Sequence, residues 1–283
     1  QTARLGTGTI EVKSGYGLDP KTELKMLRAI QTAGAESPQI VVPTFLGAHA
    51  LDSDAKDPGQ AIERIIDEAL PAAAAAVPGI VCDAYCEEAA WSVSDCQRLF
   101  EAAIRLGCPV RVHTDQFNCL GMTRLAIELG ARSVDHLEAT TTEDLQHLAA
   151  SATIGVLLPS SGFSLDDRYA PGRELVDLGG AIAIASNLNP GSAPSPSLTF
   201  AMALACRKCR LRPAEAITAA TFNAACVLGL QDEVGSLEVG KRADLLLLDT
   251  QDERSLGVEI AGPGPVAVML EGRWFHTGWP DPS

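Results

Sequence analysis

No apolar run in this chain approaches the ~18 residues that a membrane-spanning helix needs, and Gln1 does not open the basic-then-apolar pattern of a secretory leader. Both absences point to a cytoplasmic protein with no membrane as partner. Basic residues are scarce too: 22 Lys and Arg stand against 36 Asp and Glu, a formal net charge of −14 with His neutral. Nucleic acid and anionic membrane both demand a basic face, so a small polar molecule is the better partner. The lone Cys-x-x-Cys, Cys206-Arg-Lys-Cys209, lacks a second pair and a nearby His, which weighs against a zinc or redox site. Cys82, Cys86 and Cys108 lie in or beside apolar strand patterns and Cys96, Cys206 and Cys226 in helical ones. All are read as reduced thiols.

What is present is a repeat. At 283 residues, 46% apolar and 20% charged, the chain can form one large α/β domain or two small ones. Strand-like runs recur at Thr7–Lys13, Gln39–Thr44, Ile80–Tyr85, Pro109–His113, Ser133–His136, Thr153–Leu158 and Ala181–Ser186. Helical patterns separate them, at Thr22–Thr32, Ala61–Ala76, Val93–Leu106, Met122–Glu128, Glu143–Ala149 and Gly172–Asp177, and Leu198–Arg207 and Pro213–Leu228 follow. Strands alternating with helices imply parallel pairing through right-handed crossovers. Helix punctuation agrees: Asp19-Pro20, Ser92 and Thr141 supply N-caps, and Gly107 and Gly130 stand where helices stop. From Gly235 the pattern changes to a turn, an apolar strand and a hairpin with Glu271-Gly272 at its tip, ending in the Pro-rich tail Trp279–Ser283.

Several of these strands end on polar residues, the position where barrel enzymes keep their chemistry. His113 closes Pro109-Val-Arg-Val, His136 closes Ser133-Val-Asp, His49 ends Thr44-Phe-Leu-Gly-Ala, and Asn187 follows Ile182–Ser186. A single His at a strand end is commonly a hydrogen-bonded structural residue, whereas three at the ends of parallel strands favour a site. His147 and His276 are taken as surface residues, and Asp135 and Glu138 as partners in ordinary salt bridges.

The stretches Glu11–Asp19, Pro43–Ala50, His113-Thr-Asp-Gln116, Asp135–Glu138 and Asn189-Pro-Gly-Ser192 closely resemble the imidazolonepropionase family, metal-dependent barrels of the amidohydrolase superfamily. Gly235-Ser-Leu-Glu-Val-Gly-Lys-Arg-Ala-Asp-Leu resembles the closing signature of that superfamily. The resemblance runs from about Thr7 to Asp249. It implies a TIM-like (β/α)8 barrel of the amidohydrolase type with its first βα unit missing. Residues 1–234 would be the barrel, strands two to eight, and 235–283 a small C-terminal β appendage and tail.

The activity it implies is hydrolysis of 4-imidazolone-5-propanoate to N-formimidoyl-L-glutamate in histidine degradation, with one zinc or iron ion. His113 and Asn187 occupy metal-ligand positions. His136 and Gln116 are the catalytic candidates, and Tyr16, His49, Gln116, Asn189, Gly191 and Ser192 the substrate contacts. Asn187 stands where the family has Asp. An amide offers only a neutral carbonyl oxygen and is no base near neutral pH, so weak metal binding is expected. His136 is then the titratable candidate for moving protons. The alternatives are another metal-dependent cyclic amidohydrolase or deaminase, and a catalytically silent binding homologue that keeps the pocket. Assembly is left open, with a homodimer the commonest arrangement.

Overall fold

The computed structural model describes residues 1–51, 58–88, 90–260, 262 and 264–277, so the Trp279–Ser283 tail lies outside the described residues. Seven strands follow in chain order: β1 Thr9–Lys13, β2 Ile40–Ala48, β3 Val81–Cys86, β4 Val110–Thr114, β5 Ser133–His136, β6 Ile154–Leu157 and β7 Ile182–Ile184. They hydrogen-bond in that same order, with parallel registers that set Cys82 beside Val110 and Val112 beside Val134. Sequential parallel neighbours joined through helices are the TIM-like arrangement the sequence implies, with β1 and β7 ending the order.

The helices are α1 Pro20–Glu36, α2 Pro58–Arg64, α3 Leu70–Ala76, α4 Val93–Arg105, α5 Met122–Glu128, α6 Thr142–Ala149, α7 Pro159–Leu165, α8 Gly172–Asp177, α9 Leu198–Lys208, α10 Pro213–Ala220 and α11 Phe222–Leu228. The expected caps are in place. Asp19 accepts from the N–H groups of Lys21 and Thr22, Ser92 from that of Asp95, and Thr141 from that of Asp144. Gly107 and Gly130 take φ of 75° and 69°, left-handed values that suit the residue after a helix.

Four elements differ from expectation. β2 runs on to Ala48 and carries Pro43 inside it, because Phe45–Ala48 are buried and stay extended. The run Ala61–Ala76 is interrupted by a π turn at Ile65–Ala69, just ahead of Pro71, which lacks the N–H for a regular turn and crowds the carbonyl four residues back. Pro213–Leu228 breaks at Thr221 (φ −120°, ψ −88°) into α10 and α11. α7 was not expected, the sequence pattern showing no element between Leu158 and Gly172. It is helical in a buried setting where a methyl at Gly162 would collide with the Arg168 carbonyl.

By contacts the chain divides into two compact units, Gln1–Ile10 with Pro38–Ile40 and Val156–Ser283, and Glu11–Ser37 with Val41–Gly155. In the first, β8 Leu245–Leu247, β9 Ala267–Leu270 and β10 Arg273–Thr277 form an antiparallel sheet ordered β10-β9-β8, and α12 Ser255–Val258 lies between β8 and β9 in sequence. Its hairpin turns at Glu271 and Gly272, with φ of 54° and 74°, as two-residue hairpins prefer.

In the second unit, strand alternation sorts side chains onto two faces. Cys82, Ala84, Val110, Val112 and Val134 are buried among Leu27, Ile62, Leu99, Phe100, Met122, Leu145 and Leu148 of the helices. Each such large side chain contributes about 1.5–3 kcal/mol by leaving water. The opposite face of the same strands carries Asp83, Arg111, His113 and Asp135, also buried but ionisable. Where a barrel interior is ordinarily packed with branched apolar side chains, this one is built of charge.

Candidate active site

The register places Asp83 beside Arg111, Tyr85 beside His113, and His113 beside Asp135. Strand spacing of about 4.8 Å then brings these side chains into contact. Lys13 Nζ lies 2.6 Å from Asp83 Oδ2, and Arg111 Nη2 lies 2.6 Å from Asp135 Oδ2. Arg111 Nη1 reaches both oxygens of Glu11, at 2.9 and 2.8 Å. His113 Nδ1 is 3.1 Å from Asp83 Oδ1, and its Nε2 is 3.7 Å from Asp135 Oδ2. Three carboxylates thus face two permanent cations and one imidazole.

The ionisation of these groups follows from that geometry. Burial alone would raise the Asp83 carboxyl, but His113, Lys13 and Arg111 outweigh it and hold the group far below the usual carboxylate range. Burial likewise opposes ionisation of Glu11 and Asp135, and Arg111 leads the charges that lower both. Burial and Arg111 pull Lys13 down, yet Asp83, Glu11 and Asp135 more than offset them and raise it. All five stay charged near neutral pH, which a buried network tolerates only when its members pair.

Next to this network lies an aromatic recess. The His49 ring meets the edge of Tyr16 at 4.7 Å between centroids and tilts against Tyr85 at 5.7 Å. Burial, then the neighbouring His113, push the His49 pKa down to about 4, so the ring is neutral at ordinary pH. Tyr85 is pushed up to about 12, chiefly by burial and then by Glu87 and Glu138, and its hydroxyl donates to Gln116 Oε1 at 3.0 Å. The His113 and His136 rings stand 5.7 Å apart. His136 Nδ1 is 3.2 Å from Glu138 Oε1, both side chains being 5% exposed.

Loops hold these groups in place. Tyr16, 71% exposed, rides between Gly15 and Gly17, whose N–H groups both donate to Glu23 Oε1 on α1. Glu87 accepts from the backbone N–H groups of Gln116, Phe117 and Asn118 and so fixes the turn after β4. Asp115, His136 and Leu137 take φ of 55°, 91° and 75°. Left-handed backbone at non-glycine residues costs of order 1–3 kcal/mol each and is retained mainly where it positions function.

Of the expected site residues, Tyr16, His49, His113, Gln116 and His136 share the second unit. Asn187, Asn189, Gly191 and Ser192 lie in the first. There Asn187 takes φ 53°, and Asn189 Oδ1 accepts from the N–H groups of Gly191 and Ser192 at 2.9 and 2.7 Å. Asn189 Nδ2 donates to the Asn187 carbonyl and to Ser192 Oγ, which makes the turn self-contained. His49 follows directly on β2. Asp135 is ion-paired as expected, but inside the core. Sequence reasoning missed Glu11, Lys13, Asp83 and Arg111. Glu11 and Lys13 fall on alternate positions of one strand, whereas Asp83 and Arg111 are single charges set in apolar runs.

Asp83, His113 and Asp135 bring one ligand atom each within 4.8 Å of one another, a nitrogen and oxygen donor set that suits a divalent ion. Lys13 and Arg111 already hold both carboxylates. The donor that fits best is therefore His113 Nε2, with Asp83 orienting the ring from Nδ1, as carboxylates do for metal-bound histidines.

Parallel βα units with titratable groups gathered at strand ends define an enzyme scaffold of the barrel type. The amidohydrolase family profile matches residues 13–275, and the chain belongs to that family. It is 45% identical over 275 residues to the imidazolonepropionase of Herpetosiphon aurantiacus, covering 94% of this chain and 64% of the relative. It is 44% identical over 268 residues to that of Syntrophobacter fumaroxidans, covering 94% and 63%. The chain thus spans under two thirds of the length of these relatives. Among solved structures, a 5-methylcytosine deaminase from Klebsiella pneumoniae superposes with a TM-score of 0.75 at 16% identity, over 99% of this chain and 73% of that one. An adenosine deaminase from Xanthomonas campestris gives 0.70 at 20%, over 98% and 68%. At such identities the likeness is one of fold.

Proposed function

We propose that this chain carries much of the active site of an imidazolonepropionase, which opens the cyclic amide of 4-imidazolone-5-propanoate to give N-formimidoyl-L-glutamate in histidine degradation. The observation that carries the reading is the recess in which Tyr16, His49, Tyr85 and Gln116 adjoin His113 and His136, in a chain 45% identical to a named imidazolonepropionase.

The roles follow from the geometry. Tyr16 and His49 present ring faces and edges to a planar heterocycle, and neutral His49 does so without bringing charge. Gln116, held by Glu87 and Tyr85, offers its amide to the ring. His136 turns Nδ1 to Glu138, which leaves Nε2 to take a proton from the attacking water and return it to the departing ring nitrogen. His113 would hold a divalent ion, zinc or iron, through Nε2. When bound, such an ion supplies Lewis acidity and an activated water. Asn187 as a neutral metal donor, and Asn189, Gly191 and Ser192 as substrate contacts, enter the proposal on the family resemblance. Eight free thiols suit a cytoplasmic setting, and no helix among the described residues is long and apolar enough to cross a membrane.

The test is direct. Freshly prepared imidazolone propionate is incubated with the metal-supplemented chain, and ring absorbance and N-formimidoyl-glutamate are followed together. Stoichiometric conversion that is lost in His136→Gln is the expected result. Binding without turnover would instead favour the silent homologue, the reading that Asn187 supports.

A further inference from the structure

One buried group in the recess is left without a partner. The Glu138 side chain is 5% exposed; its Oε1 faces His136 Nδ1, and its Oε2 has no hydrogen-bond partner among the described residues. Nearby, His49 Nδ1 is likewise buried and unpartnered. Native cores satisfy nearly all buried polar atoms, so an orphaned carboxylate oxygen beside a recess marks the place of a missing donor. Glu138 touches His136, whose ring stands 5.7 Å from that of His113, so the carboxylate adjoins the same group of side chains.

The backbone holds Glu138 there at a cost. His136 and Leu137 are consecutive left-handed residues, and the turn they make is tied down by Ala139 N–H to the Asp115 carbonyl at 2.6 Å and Thr140 N–H to the Leu137 carbonyl at 3.3 Å. The strain brings residues 136 and 138 into contact and fixes the carboxylate with one oxygen spent and one free.

We infer that Glu138 is a specificity residue. Its Oε2 accepts the N–H of a planar nitrogen heterocycle seated against Tyr16 and His49, while Oε1 keeps Nδ1–H of His136 in place. The ligand class is a cyclic amide or ureide bearing a ring N–H. Rings that present an acceptor or an N-alkyl group at that position are rejected, because two acceptors cannot pair and a methyl leaves the oxygen buried and unbonded. This rests on the ring-opening reading above and adds which edge of the ring is recognised.

Glu138→Gln is the informative substitution. If its carbonyl oxygen accepts from His136, its NH2 group faces the ligand, so the recess keeps its shape and its His136 contact while acceptor becomes donor. Calorimetric titration uses this 283-residue chain with hydantoin-5-propanoate, a stable cyclic ureide with N–H at both ring nitrogens, and with its two mono-N-methyl derivatives. The wild-type chain is expected to bind the parent about tenfold to a hundredfold more tightly than one of the methylated probes, the range for a hydrogen bond to a charged group. Glu138→Gln should erase that preference. Equal binding of all three probes by the wild-type chain overturns the inference without recourse to any variant, and so does a preference that survives in Glu138→Gln. Failure to bind the parent at all overturns the recess as a ring site and this inference with it. A Glu138-dependent preference in a chain that never opens imidazolone propionate would uphold the inference and remove the hydrolase reading, so the two fail separately.

Discussion

Asp83 shows how much one residue sets. It is fully buried, pairs with Lys13 through Oδ2 and orients His113 through Oδ1. Asp83→Asn keeps the shape and an acceptor for His113 but removes the nearest carboxylate from Lys13, which is left with Glu11 at 3.4 Å and Asp135 at 3.7 Å. Breaking one side of an isolated buried ion pair costs about 3–5 kcal/mol; with Glu11 and Asp135 still beside Lys13 the loss should be a fraction of that, read as a lower urea midpoint than the wild-type chain's. Weakening the carboxylate behind a metal-bearing histidine costs about tenfold to a hundredfold in affinity, which zinc titration of the same variant would read. An unchanged midpoint would mean that Glu11 and Asp135 hold Lys13 without help from Asp83. Asp83 was not legible in the sequence. A lone Asp in an apolar run acquires its meaning only from Lys13, Arg111 and His113, three residues on two other strands.

At the scale of elements, loops and caps position the site. Tyr16 reaches His49 because the turn before α1 is pinned twice, by Glu23 accepting from Gly15 and Gly17 and by Asp19 capping the helix. Asp19→Ala should cost about 1 kcal/mol, the usual loss of a side-chain N-cap, and lower the melting temperature by a few degrees. Unfolding followed by circular dichroism reads the difference, and a loss below about 0.3 kcal/mol would show that Pro20 alone starts the helix. Elements with local signals were legible here. Ser92, Thr141 and the hairpin at Glu271-Gly272 fall where their side chains or backbone preferences put them. The π turn ahead of Pro71 had a local signal as well, which the helical periodicity around it concealed. α7 had none, being helical through its buried surroundings.

For the whole molecule, the depressed ionisations make acid the vulnerable side. His49 has a folded pKa of about 4 against an ordinary value near 6.5, so folding binds fewer protons there than the unfolded chain does. Its contribution is fully present above about pH 6.5 and is lost as pH falls from there towards 4. Asp83, Asp135 and Glu11 are also held low, so their stabilisation persists above the ordinary carboxylate range and is lost at still lower pH. Stability should therefore decline in two stages on acidification. His49→Asn should flatten the first stage and leave the second, as urea unfolding at pH 7, 5 and 3.5 would show. A first stage of equal size in the variant would place its origin in another histidine.

The amino-acid sequence by itself determined the alternation of strands and helices, the parallel order, the β appendage and the strand-end positions of His49, His113 and His136. These follow from periodicity, caps and turns, which act over a few residues. Only the tertiary structure decided that the inner face of the sheet is a paired charge network, that His113 turns Nδ1 to Asp83, and that Glu138 keeps an oxygen free. Each of the first two depends on which residues of separate strands come level, and register is fixed by packing across the sheet. The free oxygen of Glu138 depends on the left-handed turn at His136 and Leu137, which leaves no mark in one-dimensional order.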